Sequence, residues 1–216
     1  ADMKNFEPTM KIGLLATVSP QGSPHITLLS SLMAAAPIQM VWGQFTEGMV
    51  YDFVRTNPKT GFLIMNLDKE VWRGKATYTH ALRSGKDYDF YNNTPMFRYN
   101  AYFGVHTAHY LDLVEYSSKE SLPMGSIVLA SITTLLAAKL TGRKAEAVLN
   151  TWTRSLMDKI GNLKFLAYLD KDGFPCIIPI IQAMSADSET ILFSSGVYRD
   201  DLRAIPQGAE VAIFGM

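Results

Sequence analysis

The chain has 216 residues, 48% hydrophobic and 19% charged, which is enough for one large domain or two small ones and excludes a disordered chain. Lys plus Arg and Asp plus Glu each number 20, and no basic stripe marks either half, so nucleic acid is not an expected partner. The single cysteine, Cys176, excludes a disulfide within the chain and a cysteine-based metal site, and it fits a reducing, cytosolic compartment.

Residues 1–10 are polar and lack the charged-then-apolar pattern of a signal peptide. Residues 12–29, IGLLATVSPQGSPHITLL, read as strand, tight turn and strand, with Gly22 supplying the turn. A strand is expected at Gln39–Trp42, then a short helix closing near Pro58. Strands follow at Gly61–Met65 and Val71–His80, then a loop rich in Asn, Tyr and Pro at Asp87–Asn100, then a strand at Thr107–Tyr116. The apolar run Ile127–Leu140 is short of the roughly 20 residues that span a bilayer, so it reads as a buried helix of about Met124–Leu140, stopped by Gly142. A second helix, about Arg143–Lys159, carries Ala147, Val148, Trp152, Leu156 and Ile160 along one face.

Residues 163–180, LKFLAYLDKDGFPCIIPI, then repeat the opening hairpin at an offset of 151 residues (173 minus 22, from Gly173 and Gly22). Leu15/Leu166, Ala16/Ala167, Gly22/Gly173, Pro24/Pro175 and Ile26/Ile177 are identical at that offset. The later order repeats as well: a strand at Thr190–Phe193, a helical stretch ending near Pro206, and a strand at Glu210–Phe214. The second copy then stops two strands early, so either the chain is cut short or a partner covers the sheet, with a homodimer as the expectation.

The hairpin ATVSPQGSPHIT, the helix closing on Thr56–Pro58, and the strands GFLIMN and WRGKATY resemble the pyridoxamine 5'-phosphate oxidase-like group over residues 10–116, and more weakly over 163–216. The resemblance implies an α+β fold, mainly β with helices: a split β-barrel with a second, partial split-barrel-like repeat. It implies a domain at 1–122 that binds FMN, a helical connector at 123–161 and the incomplete repeat at 162–216. It further implies an FMN-dependent oxidoreductase or flavin reductase working with a small-molecule electron donor or acceptor. The alternative is a non-enzymatic protein holding flavin, deazaflavin or haem.

A flavin needs an apolar slot for its ring, polar groups along one edge and donors for its phosphate. The resemblance puts the phosphate donors at the end of the third strand and the start of the next helix, here Gln44–Val50, where a helix N-terminus favours an anion. Gln44, Phe45 and Thr46 are candidates there. The group's Ser-Arg-Lys-like cluster falls on Gly48, Met49 and Val50, so its positive charge is missing, and Glu47 adds a repulsive one. The second copy, FSSGVYR, offers Ser194, Ser195 and Arg199, with Arg203 one turn on. If the two copies pair, the ring lies between Ile26–Leu28 and Ser194–Arg199, with His25, Ile26 and Thr27 beside it; the opposite pairing uses Gln44–Thr46 as the cradle.

Arg73 and Lys75 share one strand face, which either meets an anion or is solvated. His106 and His109, three apart on a strand, point to opposite faces and do not form a metal pair. Tyr88, Tyr91, Phe97, Tyr99, Tyr102 and Phe103 form either an aromatic lid or the packing of a long loop. No nucleophile triad, glycine-rich phosphate loop or Glu-x-x-His metal motif is present.

Overall fold

A computed structural model describes residues 6, 11–100, 104–141 and 148–216. Contacts divide the chain into two compact units, Ala1–Leu122 together with Tyr168–Ile177, and Pro123–Ala167 together with Ile178–Met216. The fold is α+β, built on one large antiparallel sheet.

In the first unit β1 (Ile12–Val18) turns into β2 (Pro24–Leu28) with Ala16 opposite Ile26. Gly22 sits at φ +86°, and its N–H donates to the Ser19 carbonyl at 2.9 Å, closing the turn that the sequence specifies. Next come β3 (Met33–Ala36), β4 (Gln39–Gln44) and α1 (Met49–Thr56). Helix α1 stops at Asn57 because Pro58 forces the residue before it out of the helical region, to φ −135° and ψ 109°. Strands β5 (Lys59–Met65) and β6 (Glu70–Leu82) follow, then α2 (Lys86–Asn93), α3 (Pro95–Asn100), β7 (Thr107–Tyr116) and the short β8 (Glu120–Ser121). The sheet order is β2-β1-β5-β6-β7-β4-β3, with β8 added to β6.

Inward side chains from distant positions in that order meet in one cluster: Leu15 of β1, Trp42 of β4, Phe62 and Ile64 of β5, and Leu111 of β7. The sheet therefore curls around its core. Helix α1 contributes Val50 and Val54, one turn apart, to the same cluster.

The segment expected as a loop, Asp87–Asn100, is instead largely the helices α2 and α3. Asp87 and Asp89 occupy the first turn of α2, where carboxylates suit the dipole, and Pro95 opens α3, where its missing N–H costs nothing. Tyr91 and Phe97 are buried with Val41, Val105, Ala108 and Tyr110 in a second cluster, so they pack the sheet and do not form a lid. The Tyr91 hydroxyl donates to the carbonyls of Ser31 (2.7 Å) and Val41 (3.1 Å). Tyr102 and Phe103 lie outside the described residues, as does the side chain of Tyr99.

The second unit begins with α4 (Met124–Thr141) and α5 (Thr151–Asp158). Helix α4 was expected to be buried. It buries Ile127, Ala130, Ser131, Thr134 and Ala138, but leaves Leu129, Leu136 and Leu140 68%, 58% and 86% exposed. By length and composition alone it could cross a membrane. Helix α5 is shorter than the expected Arg143–Lys159, since Asn150 caps it by accepting from Thr153 N at 2.8 Å. Residues 142–147 lie outside the described part. On the expected apolar face Val148, Trp152 and Ile160 are exposed, and the buried residue of α5 is Met157.

Strands β9 (Lys164–Leu169), β10 (Pro175–Pro179), β11 (Met184–Ser185) and β12 (Ile191–Leu192) follow, then α6 (Arg199–Arg203) and β13 (Ala212–Gly215). Strand β9 lies between β10 and β13, as β1 lies between β2 and β5. Leu15 faces Phe62, and Leu166 faces Ile213, each 151 residues further on (166 minus 15 and 213 minus 62). The buried Lys164 ammonium donates to the carbonyls of Ile181 (3.2 Å) and Ala183 (2.6 Å), and burial pushes it down to about 8.

The β9–β10 turn belongs to the first unit. Gly173 sits at φ +77°, and Asp170 Oδ1 accepts from the N–H groups of Asp172 and Phe174, both at 2.9 Å. Lys75 pairs with Asp170 (2.9 Å) and Glu115 (3.1 Å), Lys59 Nζ donates to the Asp172 carbonyl, and the Lys59 ammonium lies 5.2 Å from the Phe174 ring centre. Burial alone would lower the Lys75 ammonium, but its hydrogen bonds to Asp170 and Glu115 outweigh that and hold it above its ordinary value. A Cβ on Gly61 would overlap the Pro175 carbonyl oxygen. Gly61→Ala is therefore expected to push this turn off β5 and to cost about 1–3 kcal/mol, the usual overpacking range, measurable by urea denaturation.

Candidate functional site

One end of the first unit's sheet carries a cavity of about 690 Å³. It lies where β4 ends, α1 begins, β6 ends and β7 begins. It is lined by Gln44 at the end of β4, Phe45, Thr46 and Gly48 of the turn that follows, Tyr51 and Asp52 of α1, Ala81 of β6 with Arg83 just past it, and Thr107 of β7 with His106 just before it. A second hollow of about 250 Å³ shares Gln44–Gly48 and Tyr51 and extends along Thr27–Ser31 beyond β2. Together they form a groove whose volume falls in the ~300–1,000 Å³ range of ligand pockets.

Antiparallel pairing assembles this end. Gln44 faces Thr107 and Trp42 faces His109 across β4–β7, while Ala81 faces His109 across β6–β7. His109 is fully buried, stacked on Trp42 at 4.6 Å, with the Tyr51 ring at 5.1 Å. Burial, with a smaller contribution from His106, pushes its imidazole down to about 4, so it is neutral at pH 7. Its Nε2 lies 2.8 Å from Gln44 Oε1 and its Nδ1 lies 3.4 Å from the Tyr78 hydroxyl. A neutral imidazole has one N–H. The Gln44 oxygen can only accept, so that N–H is on Nε2, and Nδ1 accepts from Tyr78. With its oxygen engaged, Gln44 offers its NH₂ group as a donor to the groove. Burial also raises the Tyr78 hydroxyl, which keeps it a donor at neutral pH.

Helix α1 starts at Gly48 without a side-chain cap, which leaves backbone N–H groups of its first turn for a ligand. Glu47 and Asp52 bring two carboxylates to the same place, and Arg83 brings a guanidinium. Arg83 lies just past the end of β6, 35 residues beyond Gly48 (83 minus 48), and the sequence reading missed it. Only the β4–β7–β6 register puts it beside α1. His109 was missed as a site residue for the same reason, and Tyr51 lies on α1 one residue past the Gln44–Val50 stretch.

Of the residues expected at the site, Thr27, Gln44, Phe45 and Thr46 line this groove. Ile26 is buried in the core. His25 is half-buried on β2, edge-on to Phe53 of α1 at 5.5 Å, with Nδ1 3.3 Å from Thr27 Oγ1; burial lowers its imidazole. Ser194, Ser195 and Arg199 belong to the second unit. There the Ser194 hydroxyl accepts from Gly196 N at 3.2 Å, its N–H donates to Thr134 Oγ1 at 2.9 Å, and Asp200 and Asp201 share the first turn of α6 with Arg199.

Arg73 and Lys75 are tied up in ion pairs, Arg73 with Glu120 at 3.1 Å and Lys75 with Glu115 and Asp170. His80 stacks on Tyr110 at 4.5 Å. Among the described residues no group of three or more His, Cys, Asp or Glu is placed to hold a metal ion.

No protein-family model and no curated protein matches the chain. Among solved structures it is similar to an FMN-binding protein from Syntrophomonas wolfei subsp. wolfei, with 16% identity, 56% of this chain and 83% of that one covered, and a TM-score of 0.45. HupZ of Group A Streptococcus is 16% identical over 53% of this chain and 89% of its own, with a TM-score of 0.42. General Stress Protein 26 of Bacillus anthracis is 11% identical over 56% and 96%, with a TM-score of 0.39. A further solved structure to which it is similar, at 17% identity, is described as a putative pyridoxamine 5'-phosphate oxidase from Lactobacillus delbrueckii.

Proposed function

We propose that the first unit holds FMN in the groove between β2, β4, α1 and the end of β6, and serves as a flavin-dependent oxidoreductase or flavin reductase. The observation that carries this reading is the joining of the two hollows at Gln44–Gly48. The smaller hollow has Trp42, Leu28, Leu29 and Val50 for a flat apolar ring. The larger one has the start of α1 and Arg83 for a phosphate. Gln44, its oxygen held by His109, donates to an acceptor on the ring's polar edge.

The residues fit the cofactor, though not fully. Arg83, just past β6, supplies a positive charge that Gly48, Met49 and Val50 do not, while Glu47 and Asp52 oppose a phosphate. Bound flavin would supply the hydride or electron transfer. The chain's own residues bind it, set its orientation and keep water from one face. The 151-residue offset shared by the β1–β5 and β9–β13 pairings supports reading the second unit as a partial repeat of the first.

The test is an absorbance spectrum of the purified protein followed by a fluorescence titration with FMN. Saturable binding with quenching of flavin emission is expected. A protein that binds no FMN at high micromolar concentration would sink the proposal, and a Soret band would move it to haem. The two carboxylates at the phosphate end favour a second reading, a flavin carrier without turnover. Anaerobic NAD(P)H reduction of the bound flavin, followed by reoxidation with an electron acceptor, separates the two.

A further inference from the structure

Apart from Ile127, the residues that helix α4 buries are small: Ala130, Ser131, Thr134 and Ala138. Those it exposes are large and aliphatic: Val128, Leu129, Ile132, Leu135, Leu136 and Leu140. The helices of a soluble domain do the reverse. Hydrogen bonds fix the buried side. The Ser131 and Thr134 hydroxyls donate to the carbonyls of Ile127 and Ala130, both at 2.8 Å, and Thr134 Oγ1 accepts from Ser194 N at 2.9 Å. Rolling the helix to bury its leucines would break the Ser194 bond, so the large residues stay outside.

At 3.6 residues per turn the exposed residues fall within about 80° of Ile132, in one stripe about 27 Å long. The stripe carries one charge, Lys139, near its C-terminal end. Contiguous apolar surface of this kind on a soluble chain marks an interaction face.

The stripe is symmetric about Ile132. Leu129 and Leu135 lie three residues either side of it, Val128 and Leu136 four, Gly125 and Lys139 seven, and Met124 and Leu140 eight. A two-fold axis at Ile132, with a second α4 running antiparallel, therefore sets each exposed apolar residue against another. Lys139 then falls opposite Gly125, where a Cβ would meet nothing within 4 Å, so its stem has room. Parallel pairing would instead set Lys139 against its own copy and align the two helix dipoles, and both are unfavourable.

A self-complementary face is what a closed pair of identical chains needs, and a lipid surface or an unrelated protein does not require it. Helices that lie on a bilayer also carry lysines and arginines along their polar side, whereas α4 has Lys139 alone. We propose that α4 is the contact between two copies of this chain, paired antiparallel about Ile132. One helix pair is at the small end of specific interfaces, so the dissociation constant is expected in the micromolar range.

The test is sedimentation equilibrium of the full chain, from low to high micromolar concentration. The parent is expected to reach twice the mass of Leu136→Glu. That variant puts two carboxylates into the stripe and should weaken association about a hundredfold or more. Leu136 is exposed in the single chain, so the variant keeps its fold, which equal urea midpoints at low concentration check. Adding Val128→Lys to Leu136→Glu should restore association to within about tenfold of the parent, because each new ammonium meets a new carboxylate across the axis. A parent chain that stays monomeric, an assembly indifferent to Leu136→Glu, or a double variant no stronger than Leu136→Glu alone would each overturn the proposal. So would a monomeric parent that floats with phosphatidylglycerol vesicles, which would give the face to a lipid surface.

Discussion

Replacing Arg83 by alanine is expected to weaken FMN binding ten- to a hundredfold, with little change in the stability of the unliganded protein. A charge-assisted hydrogen bond to phosphate is worth about 1.5–3 kcal/mol, and each 1.4 kcal/mol is a factor of ten. Arg83 lines the cavity but is exposed and belongs to no core cluster, so its removal leaves the fold intact. Arg83→Lys should recover only part of the loss, since an ammonium cannot make the paired contact of a guanidinium. Glu47→Gln should act in the opposite direction, because it removes a carboxylate from the phosphate end. The check is a set of fluorescence titrations of the three variants at one fixed ionic strength. If Arg83→Ala binds FMN as tightly as the parent protein, the phosphate does not sit at the start of α1.

Acid is expected to destabilise the protein through His109 by about 3 kcal/mol, from the gap between about 4 in the folded chain and the ordinary value of 6.5. The sign follows from proton counting. Between those two values the unfolded imidazole carries a proton that the folded one refuses, because burial disfavours its charge. Stability is therefore fully present above pH 6.5 and is lost as the pH falls to about 4. His25 is lowered in the same direction, so the parent curve alone does not isolate His109. The measurement is the parent-minus-variant difference in urea stability against pH, with His109→Gln as the variant. A difference that stays flat from pH 7 to pH 4 would show that the folded protein accommodates the imidazolium. The same variant should weaken FMN, since Gln44 then lacks the Nε2–H that fixes its amide.

Local chemistry was legible in the sequence. Gly22 and Gly173 announced their turns, Pro58 the end of α1, and the apolar runs of β1, β5 and β7 their strands. Thr27, Gln44, Phe45 and Thr46 were expected at a cofactor site from motif resemblance, and they line the groove proposed for it. The remainder depended on register and packing. Arg83 reaches α1 only because β6 lies next to β7 and β7 next to β4. Asp87–Asn100 looked like loop from its Asn, Tyr and Pro, yet its helices are held by Tyr91 and Phe97 packing on the sheet, and propensity does not report that. Helix α4 is apolar all round, so no periodicity in its sequence marked which side is covered.

The turn at Tyr168–Ile177 completes a unit whose other residues end at Leu122. Lys59 and Asp172 are 113 residues apart in the chain, so their contact closes a long loop. On the ribosome, the 55 residues from Leu122 to Ile177 (177 minus 122) take roughly 3–11 s to make at about 5–20 residues per second. For that interval the nascent sheet lacks the turn that covers Gly61, Lys59 and Lys75. It must either wait with that face uncovered or be guarded by a chaperone, and the order of synthesis thus sets when the first unit becomes safe from aggregation.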